Sequence, residues 1–388
     1  MLRIDEIYEN TFLPWVRKNI PQTAIFYCDP FGRSDPDSIL CRGLPNSADE
    51  KQSIFFFDQE PVQLTLHIPT FDRFVMSSSG QVPQDDTKNQ TPAKNNRYLV
   101  TSETNSDNVD YICKHFNLRP FYYFFHGWAA LDWYRGYDKT FLIPPLDQRQ
   151  IKTTFFSPNR IVGGERKHRV MSLYFMAQLN LMHNNISAPA VCPVENVPIQ
   201  DIANYFHTKW PDAESGIVNT ISKMELPKLF PNEETQRMSS CWLDQIELTT
   251  ESLIYHVSET VYFGRRQHLT EKTFKPIAMG MPFVLTAPAH SLEYLKSYGF
   301  KTFDSIWDES YDQEENDLVR AKRVVHLLKK IDQQSLEQRQ KMFEQCMPII
   351  EHNWNHFYNG GFEQVLWVEL NDMLSNLKAA VQSDLSSN

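Results

Sequence analysis

The sequence predicts an α/β protein with two domains, each built on a mainly parallel sheet. At 388 residues the chain exceeds the usual size of a single hydrophobic core. Strand-like runs alternate with helix-like patterns in both halves, as in α/β folds. The strand-like runs are continuously apolar rather than alternating, which is expected of strands covered on both faces. A break at Ile143-Pro144-Pro145-Leu146-Asp147 sets the expected domains at residues 1–147 and 148–388.

The first strand candidates are Ala24-Ile25-Phe26-Tyr27-Cys28 and Ser53-Ile54-Phe55-Phe56-Phe57. The stretch from Ser77 to Asn96 is polar and reads as a surface loop. Tyr98 to Ser102 and Phe121 to Phe125 resume the strand pattern. In the second half, Lys152 to Phe156 is a strand, followed by a loop with Gly163-Gly164 and a helix from about Arg166 to His183. Leu253 to Val257 and Phe283 to Leu285 are further strands. A long helix is expected from Glu314 to Ile331, with Leu318, Ala321, Val325 and Leu328 on one face. Another is expected from Phe362 to Leu377, and a frayed polar tail from Gln382. The C-terminal helices are assigned to the second domain, with room to pack back on the first.

The net charge of −10 argues against a broad nucleic-acid or anionic-membrane footprint. The six cysteines, Cys28, Cys41, Cys113, Cys192, Cys241 and Cys346, are scattered without a CxxC pair. Reduced thiols in a cytoplasmic setting are therefore expected. No apolar leader and no run of 18 apolar residues occur, so no membrane insertion is expected. Neither GxxxxGK(S/T) nor GxGxxG is present.

The stretch that carries most chemistry is His268-Leu269-Thr270-Glu271-Lys272-Thr273-Phe274-Lys275-Pro276, followed by Met281-Pro282-Phe283-Val284-Leu285. It reads as a loop, a helix start and then a buried strand. Thr270 is the expected cap, while Pro276 is expected to kink the first turn or shift the cap. Orphan N–H groups at a helix start favour anions. There Glu271 would bind ribose hydroxyls and Lys272 a diphosphate; the alternative is a helix with an ordinary acidic first turn. Arg160, Arg166, Lys167, His168 and Arg169 flank the glycine pair as a candidate phosphate cluster, with Arg169 inside the helical pattern; the alternative for most of them is a solvated face. Asp58-Gln59-Glu60-Pro61 follows an apolar strand and places a carboxylate at its C-terminal end, a position open to a general base; the alternative is an ordinary acidic turn before proline. His126-Gly127-Trp128 and Asp132-Trp133-Tyr134-Arg135 combine rings with carboxylates near a strand end, as sugar-binding surfaces do. His352 and His356 lack an HExxH context. Asp308-Glu309-Ser310-Tyr311-Asp312 reads as a loop flanking a nucleotide site.

These residues resemble a glycosyltransferase of the GT-B type, in which two Rossmann-like domains face a cleft. Thr270-Glu271-Lys272 with Met281-Pro282-Phe283-Val284 is similar to the donor motif of the α1,3-fucosyltransferase superfamily. Phe57-Asp58-Gln59-Glu60-Pro61 is similar to its glutamate-proline region. The stretch from Leu269 to Asp312 resembles glycosyltransferase-like proteins of bacteriophages and large viruses. The chain departs from fucosyltransferases at Phe274-Lys275-Pro276 and in lacking a membrane anchor. The resemblance implies a metal-independent enzyme whose donor is a GDP- or UDP-linked sugar. It implies Glu60 as the catalytic base, Arg169, Thr270, Glu271 and Lys272 as donor-binding residues, and Asp58, His126, Trp128 and Asp132 as acceptor-binding residues. Inversion at the anomeric carbon follows from the same likeness. A glycan or other carbohydrate is the first acceptor class. A hydroxymethylated base in phage DNA is the second, and a catalytically silent binding protein of the same fold is the third reading.

Overall fold

Continuous apolar runs become the inner strands of two sheets. The computed structural model describes residues 1–28, 41–44, 52–64, 96–139, 143–211, 216–233 and 242–386. The expected loop from Ser77 falls outside the described residues up to position 95, as does Cys241. The chain divides into two compact units. One comprises Met1–Asp132, Arg266–His268 and Glu363–Asn388, the other Trp133–Arg265 and Leu269–Phe362. The Ile143–Asp147 break lies inside the second unit.

The first unit holds β1 (Thr23–Cys28), β2 (Cys41–Leu44), β3 (Gln52–Phe57), β4 (Asn96–Thr101) and β5 (Leu118–Tyr122), in the order β2-β1-β3-β4-β5. β2 is antiparallel to β1, and the remaining pairs are parallel. Every residue of β3 is buried, as its unbroken apolar pattern requires. Phe12 and Tyr8 cover one face, their rings 4.6 and 5.6 Å from Phe56. On helix Asp107–Phe116, Val109, Ile112 and Phe116 join Phe55 and Leu99 in a core cluster. Ser106 caps that helix, accepting from the Val109 N–H, and Asn117 ends it at a φ of 52°.

The C-terminal helix, Gly361–Ser386, is longer than its apolar pattern suggests. Gln52 Nε2 donates to Val381 O at 3.0 Å, and Tyr98 OH to Asp384 Oδ2 at 2.7 Å. These bonds order the polar tail that sequence pattern alone leaves frayed. The expected strand at Phe121 to Phe125 also ends early, at Tyr122, and Phe125–Tyr134 is a helix. Its buried residues include Phe125, Trp128, Ala129, Ala130, Leu131 and Tyr134, so the segment has no polar face to reveal a helical period.

The second unit holds β6 (Thr153–Ser157), β7 (Asn185–Ile186), β8 (Ser252–Ser258) and β9 (Phe283–Thr286), all parallel, in the order β7-β6-β8-β9. Helix His168–Gln178 follows β6, and helix Glu271–Ala278 follows β8. After β6 the chain steps outward to β7, then returns to the other side of β6 as β8. The C-terminal ends of β6 and β8 therefore flank a topological switch point, where parallel sheets open a crevice.

Helix Asp317–Asp332 lies close to its expected span, and Leu318, Ala321, Val325 and Leu328 are all buried. Asn316 caps it through Leu318 N–H and Val319 N–H, each at 3.1 Å. Helix Glu271–Ala278 keeps Thr270 as its cap, with Pro276 as its sixth residue. At its other end Arg149 donates to Gly280 O at 2.6 Å and to Met279 O at 2.9 Å. His352 and His356 contact the backbone carbonyls of Gly299 and Tyr298 at 3.0 and 2.7 Å. Among the described residues, no helix is long and apolar enough to cross a membrane.

Candidate functional site

β8 leaves the sheet at Ser258, and the next residue, Glu259, is fully buried. Thr270 N–H and Thr273 Oγ1 donate to its Oε1 at 3.0 and 2.6 Å. Thr260 N–H and Thr270 Oγ1 donate to its Oε2 at 3.1 and 2.6 Å. A carboxylate of the protein itself thus occupies the positive end of helix Glu271–Ala278, the position anticipated for a ligand anion. Ligand charge arriving here must be met mainly by side chains.

One such side chain, Lys272, opens that helix beside Glu271. Lys272 Nζ donates to Glu271 Oε1 at 2.9 Å and to Thr260 Oγ1 at 3.0 Å, and 29% of its side chain remains exposed. Glu271 is 5% exposed. Thr270 is buried, accepting from Lys272 N–H and donating to Glu259, so its hydroxyl builds the helix start.

Arg169 is the second residue of the helix that follows β6. It is 5% exposed. Its guanidinium donates to Ile161 O at 2.9 Å and to Ser258 O at 2.6 Å, tying the loop after β6 to the end of β8. Burial pulls it down to about 9; Arg166 adds to this, while Glu259 and Glu271 oppose it. Arg169 thus lies within the field of Glu271, although the two are far apart in sequence. Arg169 Nε, Ser172 Oγ, Ser258 Oγ and Asn159 Oδ1 are buried without a hydrogen-bond partner among the described residues.

A buried polar row crosses the sheet at this end. Ser157 Oγ lies 2.8 Å from His256 Nδ1, and Thr286 Oγ1 lies 2.8 Å from His256 Nε2. Burial, aided by the Arg169 charge, pushes the imidazole down to about 3, so it is neutral near pH 7. Both ring nitrogens have a hydroxyl partner, which suits a neutral histidine.

In the first unit, Asp58 follows β3 as expected and is fully buried. Tyr8 OH and Tyr123 OH each donate to one of its carboxylate oxygens. Burial pushes the carboxyl up to about 6, against the pull of both phenols. Glu60, two residues on, is partly exposed. The residues anticipated for acceptor binding are enclosed. Trp128 is fully buried and packs edge-on against Trp367 at 4.8 Å. The His126 ring meets His268 edge-on at 4.9 Å, and Asp132 is buried. Stacking of a sugar on Trp128 would require that ring to be uncovered.

Two functional-looking carboxylates escaped the sequence reading. Glu259 has the same signal as Asp58, a carboxylate directly after an apolar strand. Glu103 forms a buried two-pronged pair with Arg266, at 2.8 and 2.9 Å, and also accepts from Val62 N–H. That pairing joins positions 163 residues apart and has no local pattern. The acidic stretch from Asp308 also serves the fold, since Asp312 accepts from Leu292 N–H at the start of helix Ser291–Ser297.

Comparison with protein-family models, curated proteins and solved structures finds no significant match.

Proposed function

We propose that this chain is a nucleotide-sugar-dependent glycosyltransferase of the two-Rossmann-domain class, with its donor bound on the second unit. One observation carries the reading. Arg169, Glu271 and Lys272 open the two helices that follow β6 and β8, the strands that flank the switch point. In this reading Glu271 accepts hydrogen bonds from ribose hydroxyls. Lys272, the more exposed of the pair, meets the diphosphate and stabilises the charge that grows on it as the sugar departs. Arg169 holds the end of β8 in place and adds a fixed positive charge.

Glu60, the partly exposed carboxylate after β3, removes the proton from the acceptor hydroxyl. The oxygen then forms its bond to the anomeric carbon as the bond to the diphosphate breaks, with inversion. The chain's net charge of −10 favours a carbohydrate acceptor over DNA.

A screen of GDP-, UDP-, ADP- and CMP-sugars by thermal shift and donor hydrolysis tests the reading. One nucleotide should stabilise the protein, and the shift should vanish in Glu271→Ala and Lys272→Ala. Glu60→Gln should keep donor binding and lower turnover by about 100-fold or more, the usual scale of a lost general base. Unchanged turnover would remove Glu60 from the mechanism. Binding to none of the donors, with no hydrolysis, would favour a silent binding protein.

A further inference from the structure

Beside the start of helix His168–Gln178 stand two ammonium groups held against aromatic rings. Lys167 Nζ lies 4.8 Å from the centre of the Tyr205 ring. Lys209 Nζ lies 6.0 Å from the same centre, 4.7 Å from Trp210 and 4.1 Å from Phe263. Neither lysine has a hydrogen-bond or ion-pair partner among the described residues. Asp317, the carboxylate that acts on Lys209, is bonded to Arg320 at 2.8 Å. Burial lowers the Lys209 ammonium below its usual value, and the nearby Lys167 charge adds to this.

Aromatic faces hold an ammonium through the ring quadrupole without cancelling its charge. A carboxylate partner would have cancelled it. The rings therefore fix two cations in place and leave both charges available to a ligand. Tyr205 itself is 39% exposed, so the pair is reachable from solvent. The cluster also sits on the donor edge of the sheet: Lys167 precedes the helix after β6, and Phe263 follows β8.

A diphosphate on this edge needs cations beyond Arg169 and Lys272. Glu259 already fills the start of helix Glu271–Ala278, and the Arg169 guanidinium is committed largely to carbonyl oxygens. Lys272 is already paired with Glu271 at 2.9 Å, so it offers only part of its charge against the two or more of the ligand. We infer that Lys167 and Lys209 form a phosphate-binding pair that receives the diphosphate of a nucleotide ligand, held ready by Tyr205, Trp210 and Phe263. This deepens the donor-site reading and rests on it for the identity of the ligand, while the phosphate pair itself does not.

Calorimetric titration of the full chain with inorganic pyrophosphate tests the pair. Lys167→Gln and Lys209→Gln should each weaken binding about five-fold, the factor from one charge near 4 Å in water. The double variant should lose about 25-fold on the same basis, and added salt should shrink every difference. Lys209→Arg should restore most of the binding. Lys341→Gln, on the helix whose Gln340 bonds Ile151 N–H before β6, controls for net charge and should bind as the unaltered protein does. Folding of each variant is checked by circular dichroism. A nucleoside diphosphate should displace pyrophosphate, and a single-stranded oligonucleotide should not; the reverse order overturns the assignment. Failure of the unaltered protein to bind pyrophosphate overturns it, as does undiminished binding by the folded double variant. Lysine-dependent pyrophosphate binding without any response to nucleotide-sugars would keep the pair and remove the donor reading. Nucleotide-sugar binding lost in Glu271→Ala but intact in the double lysine variant would do the opposite.

Discussion

Glu259→Ala should destabilise the second unit by about 4 kcal/mol. The carboxylate accepts from two backbone N–H groups, of Thr260 and Thr270, and from two hydroxyls, of Thr270 and Thr273. Hydroxyls can rotate toward other acceptors, but backbone N–H groups cannot. Each buried N–H left without a partner costs roughly 1–3 kcal/mol, and two are left. Glu259→Gln is the sharper probe. With its oxygen facing Thr270 N–H, its NH2 must face Thr260 N–H, so one donor loses its acceptor at a cost of about 2 kcal/mol. Urea unfolding followed by circular dichroism reads these differences, each phase being fitted separately because the chain has two units. The order alanine, then glutamine, then the unaltered protein is expected in rising stability. A loss below about 1 kcal/mol in Glu259→Ala would refute the four-bond arrangement.

The remaining predictions concern buried charge and pH. Asp58 has its carboxyl raised from 3.8 to about 6, so its stabilising contribution is complete below pH 3.8 and disappears as pH rises through 6. About 3 kcal/mol should be lost across that window, and Asp58→Asn should flatten a stability profile measured between pH 4 and 7. His256 moves the other way, from 6.5 to about 3, so its contribution is complete above pH 6.5 and declines as pH falls toward 3. By pH 5 the loss should reach about 2 kcal/mol, and a His256→Gln variant should lack it in the same denaturant series. Glu103→Gln leaves the Arg266 guanidinium buried with a weakened partner, and should cost about 3–5 kcal/mol. Replacing both by apolar residues should recover much of that, which a double-mutant cycle would measure.

The elements that were legible in the sequence are those whose environment is uniform. β3 and β8 are buried along their whole length, and their apolar runs say so. Helix Asp317–Asp332 has one buried face and one exposed face, so its period is plain. Helix Leu336–Tyr358 was hidden because Pro348 interrupts it and Asn353 sits within the buried stripe of Phe343, Cys346, Ile350 and Phe357. The Asn353 side chain bonds Lys301 N–H and O, a partner 52 residues away that no window could contain. At the candidate site, Glu271 and Lys272 were visible as adjacent charges at a helix start. Lys209 was not, because its environment comes from helix Ile199–Lys209, Trp210 and Phe263 together.

Helix Glu271–Ala278 has eight residues, one of them proline. Isolated helices of that length do not persist in water. Its ends are instead clamped by charges matched to its dipole, Glu259 at the positive end and Arg149 at the negative one. Arg149 lies 130 residues before Met279, so the clamp closes only after a long span of chain has been ordered. The motif is therefore not portable. A peptide carrying residues 268–285 should be unstructured, and a graft into a foreign scaffold would move the letters while leaving behind the two side chains that give them a shape.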